Sequence, residues 1–257
     1  MRILLSNDDG IHAPGLAVLA AHLANDSRHE VYVCAPDRQR SATGHSLTLH
    51  KPLRVQHEES AFDFQANAVK GAWSTTGTPA DCVKLAVCEL MPAPPDVVVS
   101  GINSGPNLGS DLLYSGTVAA AMEAAFMDIP AIAVSAKQDK RFVYETAAHY
   151  IGELLGKLKD APRTARGLIN INVPALKKDE VKGAKLAELG LRLYKDSFDK
   201  RSDPNGRDYY WLSGHAIEDS ESTSSDVYAV NQGYISVTPV VFNMTDFALF
   251  DKLAQWI

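Results

Sequence analysis

Two neighbouring carboxylates, Asp8 and Asp9, stand in the run Ser6-Asn7-Asp8-Asp9-Gly10, directly after Ile3–Leu5, an apolar stretch that reads as a β-strand. Adjacent residues of a strand point to opposite faces, so both acids reach one ion only where the chain turns, and Gly10 supplies a turn. Two carboxylates held close repel each other unless a cation lies between them. Hard, charged oxygen donors suit Mg²⁺ or Mn²⁺ rather than zinc. The plainer reading is that one aspartate caps the next helix, but a cap needs no second acid.

Three further polar clusters follow apolar runs. In Asp37-Arg38-Gln39-Arg40-Ser41-Ala42-Thr43-Gly44-His45-Ser46, Ser41 offers a neutral hydroxyl ligand beside two carboxylates. His45 either gives a proton to a leaving alkoxide or, as loop histidines more often do, only makes hydrogen bonds. In Val97–Gly109, Asn103 offers an amide oxygen to a metal, and the glycines let backbone N–H groups approach an anion. The Gly-Lys-Ser/Thr ending of a P-loop is missing. Tyr114-Ser115-Gly116-Thr117 opens an alanine-rich helix, whose first N–H groups and positive dipole end suit a phosphate. Ser115 reads either as an ordinary cap or as a phosphate contact. A nucleophilic role would need a nearby base that the sequence does not display, so phosphate binding is preferred, extended to Gly116 and Thr117.

These clusters must be positioned by the elements around them. Strands are expected at Ile3–Leu5, Glu30–Ala35, Asp96–Ser100, Ala131–Ser135, Leu168–Asn172 and Tyr234–Thr238, with helices at Pro14–Leu23, Pro79–Met91, Thr117–Met127 and Phe142–Lys159. Continuously apolar strands have both faces covered, which implies a mainly parallel sheet between helix layers, an α/β fold. In such sheets ligands bind outside the carboxyl ends of the strands, where several of these clusters fall. Ser46–Leu49 and Leu53–Gln56 are read as short paired strands outside the main sheet. Leu191–Tyr194 and Tyr209–Leu212 flank Asp203-Pro204-Asn205-Gly206 as a long hairpin. The serine-rich acidic segment Glu218–Asp226 is taken as an exposed connection. Thr245 is expected to cap a last helix carrying Phe247, Phe250, Leu253 and Trp256. The C-terminal third has too little core to stand alone, so it packs on the sheet or on another subunit.

Composition bounds the function. A net charge of −6 argues against a broad nucleic-acid surface, but not against small phosphorylated substrates, because one metal ion reverses the local potential. The three cysteines make no even disulfide framework and no metal-type spacing, so all are expected to be packing residues in a reducing compartment. No signal pattern and no membrane-length apolar run is visible, making a cytoplasmic location the expectation.

Taken together, RILLSNDDGI, APDRQRSATGHSLTLHKPL, STTGTPADCVKLA, VVVSGINSGPNLGSDLLYSGTVAAAMEA, INVP and QGYISVTP resemble the SurE family of 5′-nucleotidases in order and spacing, over essentially the whole chain. The resemblance implies one divalent metal held by Asp8, Asp9, Ser41 and Asn103, and phosphate contacts from Asn107 and Ser115. It further implies nucleoside 5′-monophosphate substrates and a Rossmann-like three-layer core with a projecting C-terminal hairpin, assembled as a homodimer or homotetramer. On this reading residues 1–182 form the catalytic core, and 183–257 form a hairpin, strand and helix for oligomerisation rather than an independent domain. GHS stands where other members carry SNS, which leaves the metal set intact but bears on base preference.

As a hypothesis of mechanism, Asp8 or Asp9 takes the proton of an attacking water, and Asn107 with Ser115–Thr117 stabilises the equatorial phosphoryl oxygens. Two alternatives keep the same phosphate seat: a non-catalytic nucleotide-binding regulatory module, which gains nothing from paired acids, and a polyphosphatase or broad phosphomonoesterase. No nucleic-acid polymer and no membrane is expected as partner.

Overall fold

Ile3, Leu4 and Leu5 are fully buried because their strand, β1 (Arg2–Ser6), runs through the middle of a nine-stranded sheet. The computed structural model describes residues 1–62, 69–138, 140–158, 167–218, 222–254 and 256. In chain order the sheet takes β1, β2 (Glu30–Pro36), β3 (Val55–His57), β4 (Gly71–Thr75), β5 (Val97–Ser104), β6 (Ala131–Ala136), β7 (Gly167–Val173), β8 (Ala184–Leu186) and β11 (Ile235–Val241). Their spatial order is β3-β4-β2-β1-β5-β6-β7-β11-β8. Every neighbouring pair is parallel except β3 with β4 and β7 with β11.

Alternate residues of the strands feed two separate cores. Ile3, Leu5, Val97 and Val99 pack with helices α1 (Pro14–Ala24) and α4 (Arg141–Leu158) on one face. Leu4, Val98 and Ala133 pack with α2 (Pro79–Leu85) and α3 (Gly116–Phe126) on the other. This is the expected three-layer α/β arrangement. The chain winds outward from β1 through β2 to β4, then returns to β5 on the far side of β1, so the strand order reverses at β1 and β5. The open carboxyl ends of those two strands form the crevice where ligands bind in sheets of this kind.

Several expectations need correction. Ser46–Leu49 is not a strand: the backbone N–H of Thr48 donates to Asp81 Oδ1 at 3.0 Å, and Thr78 Oγ1 donates to the Ser46 carbonyl at 2.7 Å. The segment is docked on the N-terminus of α2, where Thr78 and Asp81 form a reciprocal cap, so its backbone groups are not offered to a ladder. The short strand near Leu53–Gln56 pairs instead with β4, which sequence reading omitted. The stretch 63–68 between them lies outside the described residues. Pro79–Met91 ends as α2 plus a wider turn, Ala86–Leu90, closed by Met91 N–H to the Ala86 carbonyl at 2.9 Å. Lys159, placed at the end of α4 from sequence, lies outside the described residues.

The C-terminal third joins the sheet through β8 and β11. Pro239 is tolerated in β11 because β8 pairs only as far as Val237, leaving the missing N–H facing an open edge. The hairpin β9 (Arg192–Ser202) and β10 (Asp208–Glu218) is longer than expected and turns at Asp203–Gly206. Residues 219–221 of the expected exposed connection are not described, but its end, Asp226, is fully buried at the start of helix α5 (Asp226–Asn231). Asp246, not Thr245, caps α6 (Phe247–Leu253), accepting from the Leu249 N–H at 3.0 Å. Cys34 and Cys82 are buried in the α2–α3 core, whereas Cys88 is exposed and so is not a packing residue.

Candidate active site

The turn after β1 is locked by one side chain. Asn7 Nδ2 donates to the Gly10 carbonyl at 2.9 Å, and Asn7 Oδ1 accepts from the Gly10 N–H at 3.1 Å. Gly10 has φ +100°, and a Cβ there would lie 3.1 Å from the Arg38 backbone carbonyl carbon, so the turn and the loop after β2 need a glycine between them. The turn carries Asp8 and Asp9 into the crevice from one short stretch of chain.

Asp8 is buried against the start of α3. Thr117 Oγ1 donates to Asp8 Oδ1 at 2.5 Å, and Gly116 packs so closely that a Cβ would lie 2.7 Å from Asp8 Cβ. Burial pushes the Asp8 carboxyl up to about 6; the Thr117 hydrogen bond opposes the rise and the neighbouring Asp9 charge adds to it. Asp9 is only partly buried. Its Oδ2 accepts from the Ser104 N–H at 2.9 Å, and its Oδ1 is 3.4 Å from Gln39 Nε2. The pair therefore touches three other segments: the loop after β2, the end of β5 and the N-terminus of α3.

The remaining candidates lie on those segments. The Arg40 N–H donates to the Asp8 carbonyl at 2.7 Å, which anchors the loop one residue before Ser41, itself exposed. Asn103 gives its Nδ2 to the Gly105 carbonyl at 2.7 Å, so its Oδ1 is the atom left for a cation. Asn107 is buried at the ends of β6 and β7. Its Nδ2 donates to Ser135 Oγ at 2.8 Å, and its N–H to Asn172 Oδ1 at 2.8 Å. Its carbonyl accepts from Asn170 Nδ2 and Asn172 Nδ2, both at 2.9 Å. Ser115 is the N-cap of α3, accepting from the Val118 N–H at 3.1 Å; its hydroxyl hydrogen remains to be donated. The Thr117 hydroxyl is committed to Asp8, so what Gly116 and Thr117 offer an anion is their first-turn N–H groups.

His45 is held elsewhere. Its Nε2 lies 2.8 Å from Glu123 Oε2, and its ring stacks on Phe126 with centroids 5.5 Å apart. It belongs to the far flank of α3 rather than to the aspartate pair. Sequence reading overlooked Asn170 and Glu123. Asn170 and Asn172 share one face of an otherwise apolar strand, and Glu123 is the one acid in an alanine-rich helix, both detectable as polar residues where burial is expected.

Asp226 was also missed as a positioning group. Its Oδ2 accepts from the Gly109 N–H and its Oδ1 from the Gly190 N–H, each at 2.9 Å, while Oδ1 also takes the Val227 N–H at 2.8 Å. It thereby ties the loop after Asn107 to the C-terminal region. Asp226→Ala leaves three N–H groups without this acceptor, at about 1–3 kcal/mol each if they stay buried. Thermal unfolding is expected on the order of 10 °C lower; an unchanged melting temperature would show that water replaces the carboxylate.

Comparison with known proteins identifies the family. The family profile described as "Survival protein SurE" matches residues 3–196. A protein named 5′-nucleotidase SurE from Natranaerobius thermophilus is 45% identical over 100% of this chain and 98% of its own length. One of the same name from Synechococcus sp. is 48% identical over 100% and 97%. The crystal structure of the SurE protein from Aquifex aeolicus superposes with a TM-score of 0.82 at 35% identity, covering 100% of this chain and 99% of that one. With the profile spanning most of the chain and the relatives all of it, this protein belongs to the SurE family.

Proposed function

We propose that the protein is a divalent-metal-dependent 5′-nucleotidase that hydrolyses nucleoside 5′-monophosphates to nucleoside and phosphate. The observation that carries this reading is a buried aspartate, Asp8, beside a second carboxylate at the open end of β1, packed against the N-terminus of α3. The names of the full-length relatives support the substrate class.

The donors fit a hard cation. The candidates are two carboxylates, one buried and one partly buried, with a serine hydroxyl and an amide oxygen as neutral companions. Asp8, Asp9, Ser41 and Asn103 would hold the ion, with Mg²⁺ or Mn²⁺ preferred by an all-oxygen set. When bound, it supplies Lewis-acid polarisation of the phosphoryl group and lowers the pKa of water. The chain's own groups do the rest. Thr117 and Gly116 fix the Asp8 carboxylate. Asp9, the less buried acid, is the one that water reaches, and it takes the proton of the attacking water. The Asn107 side chain, the Ser115 hydroxyl and the Gly116 and Thr117 N–H groups seat the phosphoryl oxygens.

The experiment is phosphate release from a panel of nucleoside monophosphates and polyphosphate, with Mg²⁺, Mn²⁺ or chelator. Release from monophosphates that chelator abolishes and metal restores is expected. Full activity in excess chelator would remove the metal, and release from polyphosphate alone would replace the substrate.

We further propose that residues 183–257 supply the oligomerisation surface of a homodimer or homotetramer, their hairpin and α6 acting as arms. Leu193, Phe198, Trp211 and Leu212 on the hairpin and Phe247, Phe250 and Trp256 near the end are exposed apolar side chains, an arrangement that marks association surfaces. Replacing Trp211 and Leu212 by serine is expected to lower the mass found by analytical ultracentrifugation; an unchanged mass would move the interface elsewhere. No helix among the described residues is long and apolar enough to cross a membrane.

A further inference from the structure

Beside the N-terminus of α3 lies a cavity of about 290 Å³ whose walls are almost wholly apolar. One wall is a stripe of α3 itself: Ser115, Val118, Ala119 and Met122 follow one another at helical spacing. Val240 and Phe242, from the end of β11 and the residue after it, also line it. The stripe runs for roughly 10 Å along the helix. It begins at the serine that caps α3 in the candidate phosphate seat.

The polar side chains around this cavity are few, and each has a partner. Ser115 Oγ accepts from Val118 N–H, and Ser110 Oγ donates to the Arg192 carbonyl at 2.5 Å. His45 is the third, and it is held from three sides. Glu123, 3% exposed, binds its Nε2 at 2.8 Å. Phe126 stacks on the ring at 12°, and Phe242 meets it edge-on with centroids 6.0 Å apart. The His45 hydrogen bond, followed by Lys84, holds the Glu123 carboxyl below its ordinary value despite burial, so Glu123 is the acceptor. That places an N–H of the imidazole at Nε2, pointing to Glu123. A loop histidine fixed this firmly at an apolar cavity presents a flat ring and one hydrogen-bonding atom.

We propose that this cavity receives the nucleobase of the substrate, with His45 and Phe242 as its aromatic walls, and that it sets the preference for nucleotides over phosphomonoesters lacking a base. The inference rests on the nucleotidase reading above. The base is the large flat apolar part of a nucleoside monophosphate, and it is tethered to a phosphate seated at the head of the same helix. A cavity near the lower end of the usual size for small-molecule sites, apolar with one oriented polar group, matches it. Stacking on aromatic rings accepts any base, so purines and pyrimidines both enter.

The test compares kcat/KM for AMP and for ribose 5-phosphate in the metal-loaded protein and in two variants. Ala119→Leu fills the cavity, and Phe242→Ala, at a residue 43% exposed, removes one wall without disturbing the core. Each is expected to lower the ratio of AMP to ribose 5-phosphate about tenfold, through KM for AMP. Because the ratio is taken within one protein preparation, partial misfolding cancels. A ratio equal to wild type in both variants would overturn the proposal. Adenosine binding by calorimetry decides the case without turnover. Adenosine that binds wild type and is weakened by both variants supports the cavity even if no phosphate is released, which would instead sink the nucleotidase reading. Adenosine that fails to bind, or binds all three alike, overturns the cavity assignment.

Discussion

Asp8→Asn is expected to lower kcat on the order of 10³-fold, the scale of losing one electrostatic element of a phosphoryl-transfer site. The same change is expected to stabilise the metal-free protein. Asp8 has its carboxyl raised from 3.8 to about 6 in the folded chain. A raised folded value means that the folded state holds the proton more tightly than the unfolded one. The stability this provides is fully present below 3.8 and is lost as pH rises through 6. At pH 7 the ionised group therefore costs the metal-free fold on the order of 3 kcal/mol, which asparagine removes while keeping an acceptor for Thr117. Melting curves in chelator should place the variant several degrees above wild type at pH 7 and level with it near pH 4. A variant less stable at pH 7, or one fully active with metal, would contradict the assignment of Asp8 as a cation's ligand kept at the expense of stability.

Gly116→Ala is expected to separate activity from folding in another way. Alanine favours a helix over glycine by about 1 kcal/mol, but here its Cβ would stand 2.7 Å from Asp8 Cβ, 3.0 Å from Asp8 Oδ2 and 3.1 Å from Pro79 Cγ. The overpacking cost, ~1–3 kcal/mol, roughly offsets the propensity gain, so melting shifts little. Asp8 must move, and a displacement of that size costs about 10²-fold in rate. Measured kcat/KM close to wild type would mean that the Asp8 position is not critical. The same substitution at Gly105, where nothing lies within 4 Å of a built Cβ, tests backbone strain alone because its φ is +111°.

The sheet was legible because its strands are continuous apolar runs, and a run such as Val97–Val99 has no reading other than burial on both faces. β4 was not legible: Gly71-Ala72-Trp73-Ser74-Thr75 is buried throughout, but its small and polar residues carry no apolar run. The segment at Ser46 looked extended and was claimed by the cap of α2, a tertiary contact that local pattern does not encode. At the site, the Asp8–Asp9 pair and the cap at Ser115 could be read from residue type and spacing. The partners that orient them could not, because Thr117 lies 109 positions from Asp8, and Asn172 lies 65 from Asn107. His45 shows the same limit. Its type left proton transfer and plain hydrogen bonding both open, and its partners Glu123 and Phe126 are tertiary contacts that the local pattern does not encode.

The most direct measurement is a crystal structure of the protein soaked in Mn²⁺ with inorganic phosphate, with the ion located by its anomalous scattering. The site proposed here requires one strong peak between the carboxylates of Asp8 and Asp9, within coordination distance of the Asn103 side-chain oxygen, and phosphate density facing the first turn of α3. A peak at any other cluster, or none at saturating Mn²⁺ while the crystals still hydrolyse nucleotide, would contradict it.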